Sequence, residues 1–284
     1  MDRHTEAVEA APHDAASIVM IRDGNAGLEV LLVRRHAASA VLGGACVFPG
    51  GKVDAADASA TVLAQLDHTP AELHARLGEA ALSPQQAAAC FAAAARETFE
   101  EAGVLYAHGR PTGTGRPGEA FGALLARLGL TLDTEALTPW SRWITPRQSL
   151  RMNRRFDTRF FLAAARADQV ARADQHEVSR LFWATPRAAL EQYRDRAIDL
   201  IPPQLISLAH LARFDGVAAA LADARSRAPA LIEPEHYQEG DATLLTYPGD
   251  VRHSVRQRAL PAPTRLYWRD QRFVPEHGFE GFFA

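Results

Sequence analysis

The chain has 284 residues, 47% hydrophobic and 23% charged, with a formal net charge of −3 from 31 basic and 34 acidic side chains. That balance excludes bulk electrostatic attraction to nucleic acid or an anionic membrane, and leaves any anionic substrate to be met by local arginines. Two cysteines, Cys46 and Cys90, are too few for a disulfide framework or a cysteine-built zinc site, and no run of about 18 apolar residues is present to span a bilayer.

Residues 1–13 are polar and alanine-rich, without the apolar segment of an export signal, and are expected to be a flexible start to a cytoplasmic protein. Residues 15–21 and 28–34 read as two strands around Asp23-Gly24-Asn25-Ala26-Gly27, whose glycines and Asn predict an antiparallel hairpin. Arg34, Arg35 and His36 close the second strand. Gly43, Gly44, Gly50 and Gly51 allow close backbone approaches. They form no P-loop, because Cys46 stands where its first glycine belongs and Val53 follows Lys52 where Ser or Thr is required. Residues 62–66 and 71–77 have roughly helical spacing, with Thr69-Pro70 as a start signal, so 58–82 reads as a small helical excursion.

The next segment carries the chemistry. Ser83 is a suitable N-cap, Pro84 fits the first helical position, the alanine-rich run favours helix, and Gly103 fits the left-handed residue that ends one. At about 100° per residue, Phe91, Ala95, Phe99 and Ala102 follow a buried face, while Glu97, Glu100 and Glu101 gather within an arc of about 100°. Negative charge in the last turn opposes the helix dipole by roughly 0.3–1 kcal/mol per residue, and Glu97 repels Glu101 one turn on. Arg96 can reach Glu100, but one cation does not balance three anions. A divalent cation with oxygen ligands would; a solvated acidic helix face is the plainer alternative.

A second stretch, Val47-Phe48-Pro49-Gly50-Gly51-Lys52-Val53-Asp54-Ala55-Ala56-Asp57, joins the first in a pattern that resembles the nudix hydrolases, whose box reads G-x5-E-x7-R-E-u-x-E-E-x-G-u with u apolar. Gly51 matches the first glycine and Asp57 stands for the first Glu. Arg96, Glu97, Glu100, Glu101, Gly103 and Val104 match the rest, with polar Thr98 at the first u. Gly51 and Gly103 lie 52 positions apart where the box has 21, so 31 residues are inserted. A branch of the family that includes the peroxisomal CoA diphosphatases carries such an insertion, and its motifs are similar to Ala15-Ala16-Ser17-Ile18-Val19 and Phe48-Pro49-Gly50-Gly51 here. The ending Gly281-Phe282-Phe283-Ala284 is not the Ser-Lys-Leu peroxisomal address, so location is not expected to transfer with the resemblance.

The resemblance implies an α/β nudix fold, an α/β/α sandwich with a mixed sheet, a helical insertion inside the box and a C-terminal extension. It also implies Mg²⁺ or Mn²⁺ held by Glu97, Glu100 and Glu101, with Arg96 orienting a box carboxylate. Gly50 and Gly51 would bring their loop against the catalytic helix, and Arg34 and Arg35 would lie near substrate. After the helix come a Gly-, Pro- and Thr-rich passage (109–118), an amphipathic helix (119–128) and a basic segment with Arg147, Arg151, Arg154, Arg155 and Arg159; 156–162 is strand-like. Guanidinium groups pair bidentately with diphosphate oxygens, so Arg154 and Arg155 are expected at the substrate. Glu177 precedes a strand that ends near Trp183 and a short helix, where many family members place a further carboxylate that holds metal or activates water. Glu97, Glu101 and Glu177 are the candidates for general base.

Residues 14–200 are thus expected to form the nudix domain, and 201–284 an extension packed on it, with apolar helices at 205–214 and 217–227 and late strands at 244–248 and 265–274. The extension carries no serine-hydrolase or zinc-peptidase motif, and is expected to shape the pocket or a homodimer interface. The expected reaction is metal-dependent attack of water on a phosphoanhydride of a nucleoside diphosphate linked to X, with CoA or acyl-CoA as the favoured substrate and no nucleic acid or membrane partner. The CoA signature of other nudix proteins, L-L-T-x-R-S, appears only as Leu31-Leu32-Val33-Arg34-Arg35. ADP-ribose, dinucleotide or nucleotide-sugar hydrolysis is therefore the alternative enzyme reading. A non-catalytic nucleotide-sensing module is the alternative of another class, disfavoured because every box carboxylate is present.

Overall fold

The computed structural model describes residues 11–39, 42–109, 118–147, 154–174, 177–240, 242–261 and 263–284. It begins with strands β1 (His13–Gly24), β2 (Gly27–Arg35), β3 (Cys46–Val47) and β4 (Gly50–Lys52), then helices α1 (Ala60–Leu63), α2 (Pro70–Leu77) and α3 (Pro84–Ala102). Next come β5 (Ala107–His108), α4 (Phe121–Leu128), β6 (Thr131–Leu132), β7 (Thr138–Ile144), β8 (Phe156–Ala164) and β9 (Val178–Ala184). Helices α5 (Pro186–Arg194), α6 (Pro202–Leu211) and α7 (Val217–Arg225) follow. The chain ends in β10 (Ala230–Ile232), β11 (Glu235–Glu239), β12 (Ala242–Thr246), β13 (Arg265–Arg269) and β14 (Arg272–Pro275).

The hairpin forms as its turn residues dictate, with β1 and β2 antiparallel from Ile21↔Val30 to Gly24↔Gly27. The earlier part of β1 runs parallel to β8 and antiparallel to β4. β2 continues to β9 and β3, and β8 leads through antiparallel β7 to parallel β10. Among the described residues, eight strands make this mixed sheet.

Its two faces follow from the alternation of side chains along each strand. Ala16, Ile18 and Met20 of β1, with Phe161 and Ala163 of β8, turn towards α3, where Ala87, Ala88, Phe91 and Ala94 complete one buried cluster. Val19 and Ile21, with Phe160 and Leu162, turn the other way onto Leu190 of α5, Leu205 and Leu208 of α6, Ala220 of α7 and Leu245 of β12. The result is the α/β/α sandwich that the resemblance implied. Residues 201–284 share this second cluster, and β10 is a strand of the main sheet itself. Sequence periodicity missed β10, which has three residues, and β11, which opens a separate antiparallel sheet in the order β11-β12-β13-β14.

α3 has the ends its sequence predicts. Ser83 Oγ accepts the Gln86 N–H at 3.2 Å, Gln86 Oε1 accepts the Ser83 N–H at 2.8 Å, and Gly103 stops the helix with a φ of 67°. The insertion folds as α1 and α2, packs on α3 and α4, and places none of residues 58–82 on the wall of the cavity described below. Glu79 ties it to the sheet: its carboxylate takes a fork from Arg159 at 3.0 and 2.7 Å and a contact from Arg142 at 3.0 Å. Cys46 and Cys90 are buried and free. No helix among the described residues is long and apolar enough to cross a membrane.

Candidate active site

The two halves of the box meet through one buried arginine. Arg96 Nε and Nη2 fork onto Asp57 at 2.8 and 3.0 Å, Nη1 reaches Glu97 at 2.8 Å and Glu100 at 3.1 Å, and Nη2 donates to the Lys52 carbonyl at 2.9 Å. Asp57 is 1% exposed and also accepts the Asp54 N–H at 2.8 Å, closing the single 3₁₀ turn Ala55–Ala58. That turn carries the carboxylate to Arg96, so the shorter Asp side chain reaches. The inserted residues leave and return without disturbing this closure.

Glu101 is 2% exposed; its Oε2 accepts the Gly50 N–H at 2.9 Å and its Oε1 meets Arg35 Nη1 at 3.4 Å. Arg35 also lies 3.9 Å from Glu177. Both glycines of the loop are required by close approach. A Cβ at Gly51 would sit 2.5 Å from the Glu97 carboxylate, and one at Gly50 would sit 2.5 Å from the Ala16 carbonyl oxygen. Gly50→Ala is expected to lower stability by about 1–3 kcal/mol, because the backbone must shift. Gly51→Ala displaces only a carboxylate, so it should lower turnover with a smaller change in melting temperature. Thermal melts beside turnover for the two variants check the distinction.

Burial pushes the Glu97 carboxyl up to about 7, with Arg96 opposing and Glu100 and Glu177 adding to the rise. Burial likewise pushes Glu101 up to about 8 against the Gly50 N–H and Arg35, and raises Glu100. An unshifted Glu titrates at 4.5, so between 4.5 and about 8 the folded chain keeps protons that the unfolded chain has lost. Stability contributed this way is complete below that window and is lost as pH rises through it. In EDTA the melting temperature is expected to fall across the window, and to fall less in the Glu97→Gln, Glu101→Gln double variant. Identical profiles for the two proteins would contradict the raised values.

Arg35, Arg96, Glu97, Glu100 and Glu177 line one side of a cavity of about 590 Å³, while Trp143, Phe156, Phe160, Leu245 and Phe273 make much of the rest apolar. Glu101 is held off the wall by Gly50. The three box carboxylates do not converge on one point. Among the described residues, the trio whose ligand atoms all lie within 4.8 Å of one another is Asp67, His108 and Asp133. Hydrogen bonding accounts for that trio: although burial works upward, bonds from Thr134, His68 and His108 hold the Asp67 carboxyl well below the usual range. For the box, the donor set is all carboxylate and its carboxyls are raised, so a hard divalent cation fits it chemically.

The expected site residues do not all lie on the cavity wall. Arg35 lines the cavity but Arg34 does not; neighbours on a strand point to opposite faces, and Arg34 Nε donates to the Gly44 carbonyl at 3.3 Å. Arg155, expected at the substrate, is 7% exposed, donates to the Thr145 carbonyl at 2.9 Å and pairs with Glu233 at 3.1 Å. Arg154 is exposed and likewise off the cavity wall. Arg151 lies outside the described residues. Lining residues that the sequence reading overlooked include Lys52, Thr145, Gln204 and His236. Lys52 adjoins the paired glycines, and Gln204 is a polar residue opening an apolar helix; both were available as signals.

The model of the NUDT19 Nudix domain family matches residues 6–211. The chain is 31% identical over 241 residues to the acyl-coenzyme A diphosphatase NUDT19 of Gallus gallus, covering 68% of this chain and 64% of that protein. It is 34% identical over 235 residues to its Homo sapiens counterpart, covering 66% of this chain and 61% of that protein. It therefore spans a little under two thirds of the length of these relatives. A crystal structure of a NUDIX hydrolase from Alicyclobacillus acidocaldarius matches with a TM-score of 0.61 and 27% identity, covering 78% of this chain and 98% of that one.

Proposed function

This chain belongs to the nudix family through its NUDT19-type Nudix domain, and we propose that it is a diphosphatase that cleaves the phosphoanhydride of CoA or an acyl-CoA with water and a divalent cation, Mg²⁺ or Mn²⁺. What carries this reading is the division of the cavity into a carboxylate side on α3 and an apolar side. The first suits a diphosphate with its cation, and the second suits a long, largely apolar X. The X of ADP-ribose or a nucleotide sugar would set several hydroxyls against Phe160 and Phe273. The names of the relatives agree with CoA. The two buried free thiols suit a reducing compartment such as the cytoplasm.

Glu97 and Glu100, with Glu101 beside them, would hold the cation. When bound, it neutralises diphosphate charge and lowers the pKa of a coordinated water. Arg96 fixes Glu97 and Glu100 on the helix face and spends its remaining donors on Asp57 and Lys52. Besides Arg96, whose donors are engaged, Arg35 and Lys52 are basic residues of the cavity wall and would meet the phosphate oxygens. Of the candidates for general base, Glu97 and Glu177 line the cavity and Glu101 does not.

The test incubates the protein with CoA, acetyl-CoA, ADP-ribose, NADH and diadenosine polyphosphates, in Mg²⁺, Mn²⁺ or EDTA, and identifies products by mass spectrometry. Metal-dependent release of phosphopantetheine is expected. Cleavage confined to the other substrates would remove CoA from the reading. Absence of turnover throughout would favour the sensor.

A further inference from the structure

Of the 31 basic side chains in the chain, thirty are arginine and one is lysine, and that lysine, Lys52, lies on the cavity wall. Its backbone is rooted beside the box carboxylates: it pairs with Ala15 of β1, and its carbonyl accepts Arg96 Nη2 at 2.9 Å. Its side chain is exposed, and among the described residues its ammonium has no hydrogen-bond or ion-pair partner. The two arginines of the same wall are committed to carboxylates. Arg96 is held by Asp57, Glu97 and Glu100, and Arg35 lies against Glu101 and Glu177. What they leave is one oxygen of Glu97, one of Glu100, and Asp54, whose side chain is 65% exposed and 3.8 Å from Arg96.

We propose that position 52 requires lysine in particular: a compact ammonium that meets a phosphate oxygen of the substrate and leaves the free carboxylate oxygens of the wall to the divalent cation. The inference rests on the diphosphatase reading above and adds how the site keeps its carboxylates from its own basic residue. A guanidinium presents a planar fork of donors that matches a carboxylate and takes two oxygens at once. At position 52 it would close on Asp54 or Glu100 as Arg96 closes on Asp57, and the oxygens a hard cation needs would be occupied. An ammonium is a single, strongly hydrated charge on a flexible stem, free to turn to the phosphate while the cation holds the carboxylates. Either residue would supply the charge; the shape of the donor separates them.

The test compares the parent with Lys52→Arg and Lys52→Met in two calorimetric titrations, Mn²⁺ alone and CoA in EDTA. Lys52→Arg is expected to bind Mn²⁺ roughly 10-fold more weakly and CoA as the parent does. Lys52→Met should reverse the pattern, keeping Mn²⁺ and losing CoA affinity roughly 10-fold. Raised Mn²⁺ should restore turnover to Lys52→Arg and not to Lys52→Met. Residue 52 is exposed, so both variants should melt with the parent. Mn²⁺ binding by Lys52→Arg equal to the parent's, CoA binding unchanged in Lys52→Met, equal losses in both variants, or a parent that binds no Mn²⁺ would overturn the inference. The crossed pattern in a protein that cleaves none of the diphosphates would sink the hydrolase reading and leave the inference standing.

Discussion

Glu100→Gln is expected to lower kcat by roughly 100-fold or more while the protein melts at the same temperature or slightly higher. Glu100 is half-exposed and, among the described residues, its carboxylate reaches Arg96 Nη1, a contact the glutamine oxygen can keep. Removing an anion from the last turn of α3 relieves its conflict with the helix dipole and its repulsion of the other box carboxylates. Lower activity without lower stability is the mark of a charge retained for chemistry. Turnover measured in Mg²⁺ beside thermal melts decides it. A variant that hydrolyses diphosphates like its parent would show that Glu100 holds no cation, and would move the site away from the face of α3.

Arg96→Met is expected to cost about 3–5 kcal/mol, because it leaves Asp57 as an uncompensated charge at 1% exposure. For a chain of this size that corresponds to roughly 10 °C in melting temperature. The pair is separable from the catalytic carboxylates by a double-mutant cycle. Arg96→Met with Asp57→Leu removes both charges and should regain most of the stability, since an apolar pair of similar volume is often as stable as a buried ion pair. Activity should not return with it, because Glu97 and Glu100 have also lost the guanidinium that positions them. Equal destabilisation in the single and double variants would mean that Arg96 acts through packing alone and that the box is not closed by charge.

What the sequence determined by itself was mainly local. Ser83, Pro84, Gln86 and Gly103 mark the ends of α3 because caps satisfy backbone groups within one turn, and the structure obeys them. The hairpin is set by Gly24 and Gly27, and the insertion shows as helix through Thr69-Pro70. The glycine pair and the spaced carboxylates were legible as one box despite the inserted residues. Their partners within the box, Arg96 to Glu100 above all, follow from helical spacing.

Contacts between distant segments were decided only by the tertiary structure. Arg155 is indistinguishable in sequence from a phosphate-binding arginine until Glu233, 78 residues away, takes its charge. β10 becomes a strand because β7 offers it an edge to pair with; alone, three residues cannot declare an extended conformation. Gln204 reads as a helix-opening residue until the fold brings it onto one cavity wall with Leu245 and Phe273 of the late sheet. Burial is the common cause: it depends on what the rest of the chain brings close, and it turns an ordinary polar group into one whose partner, present or missing, governs the site.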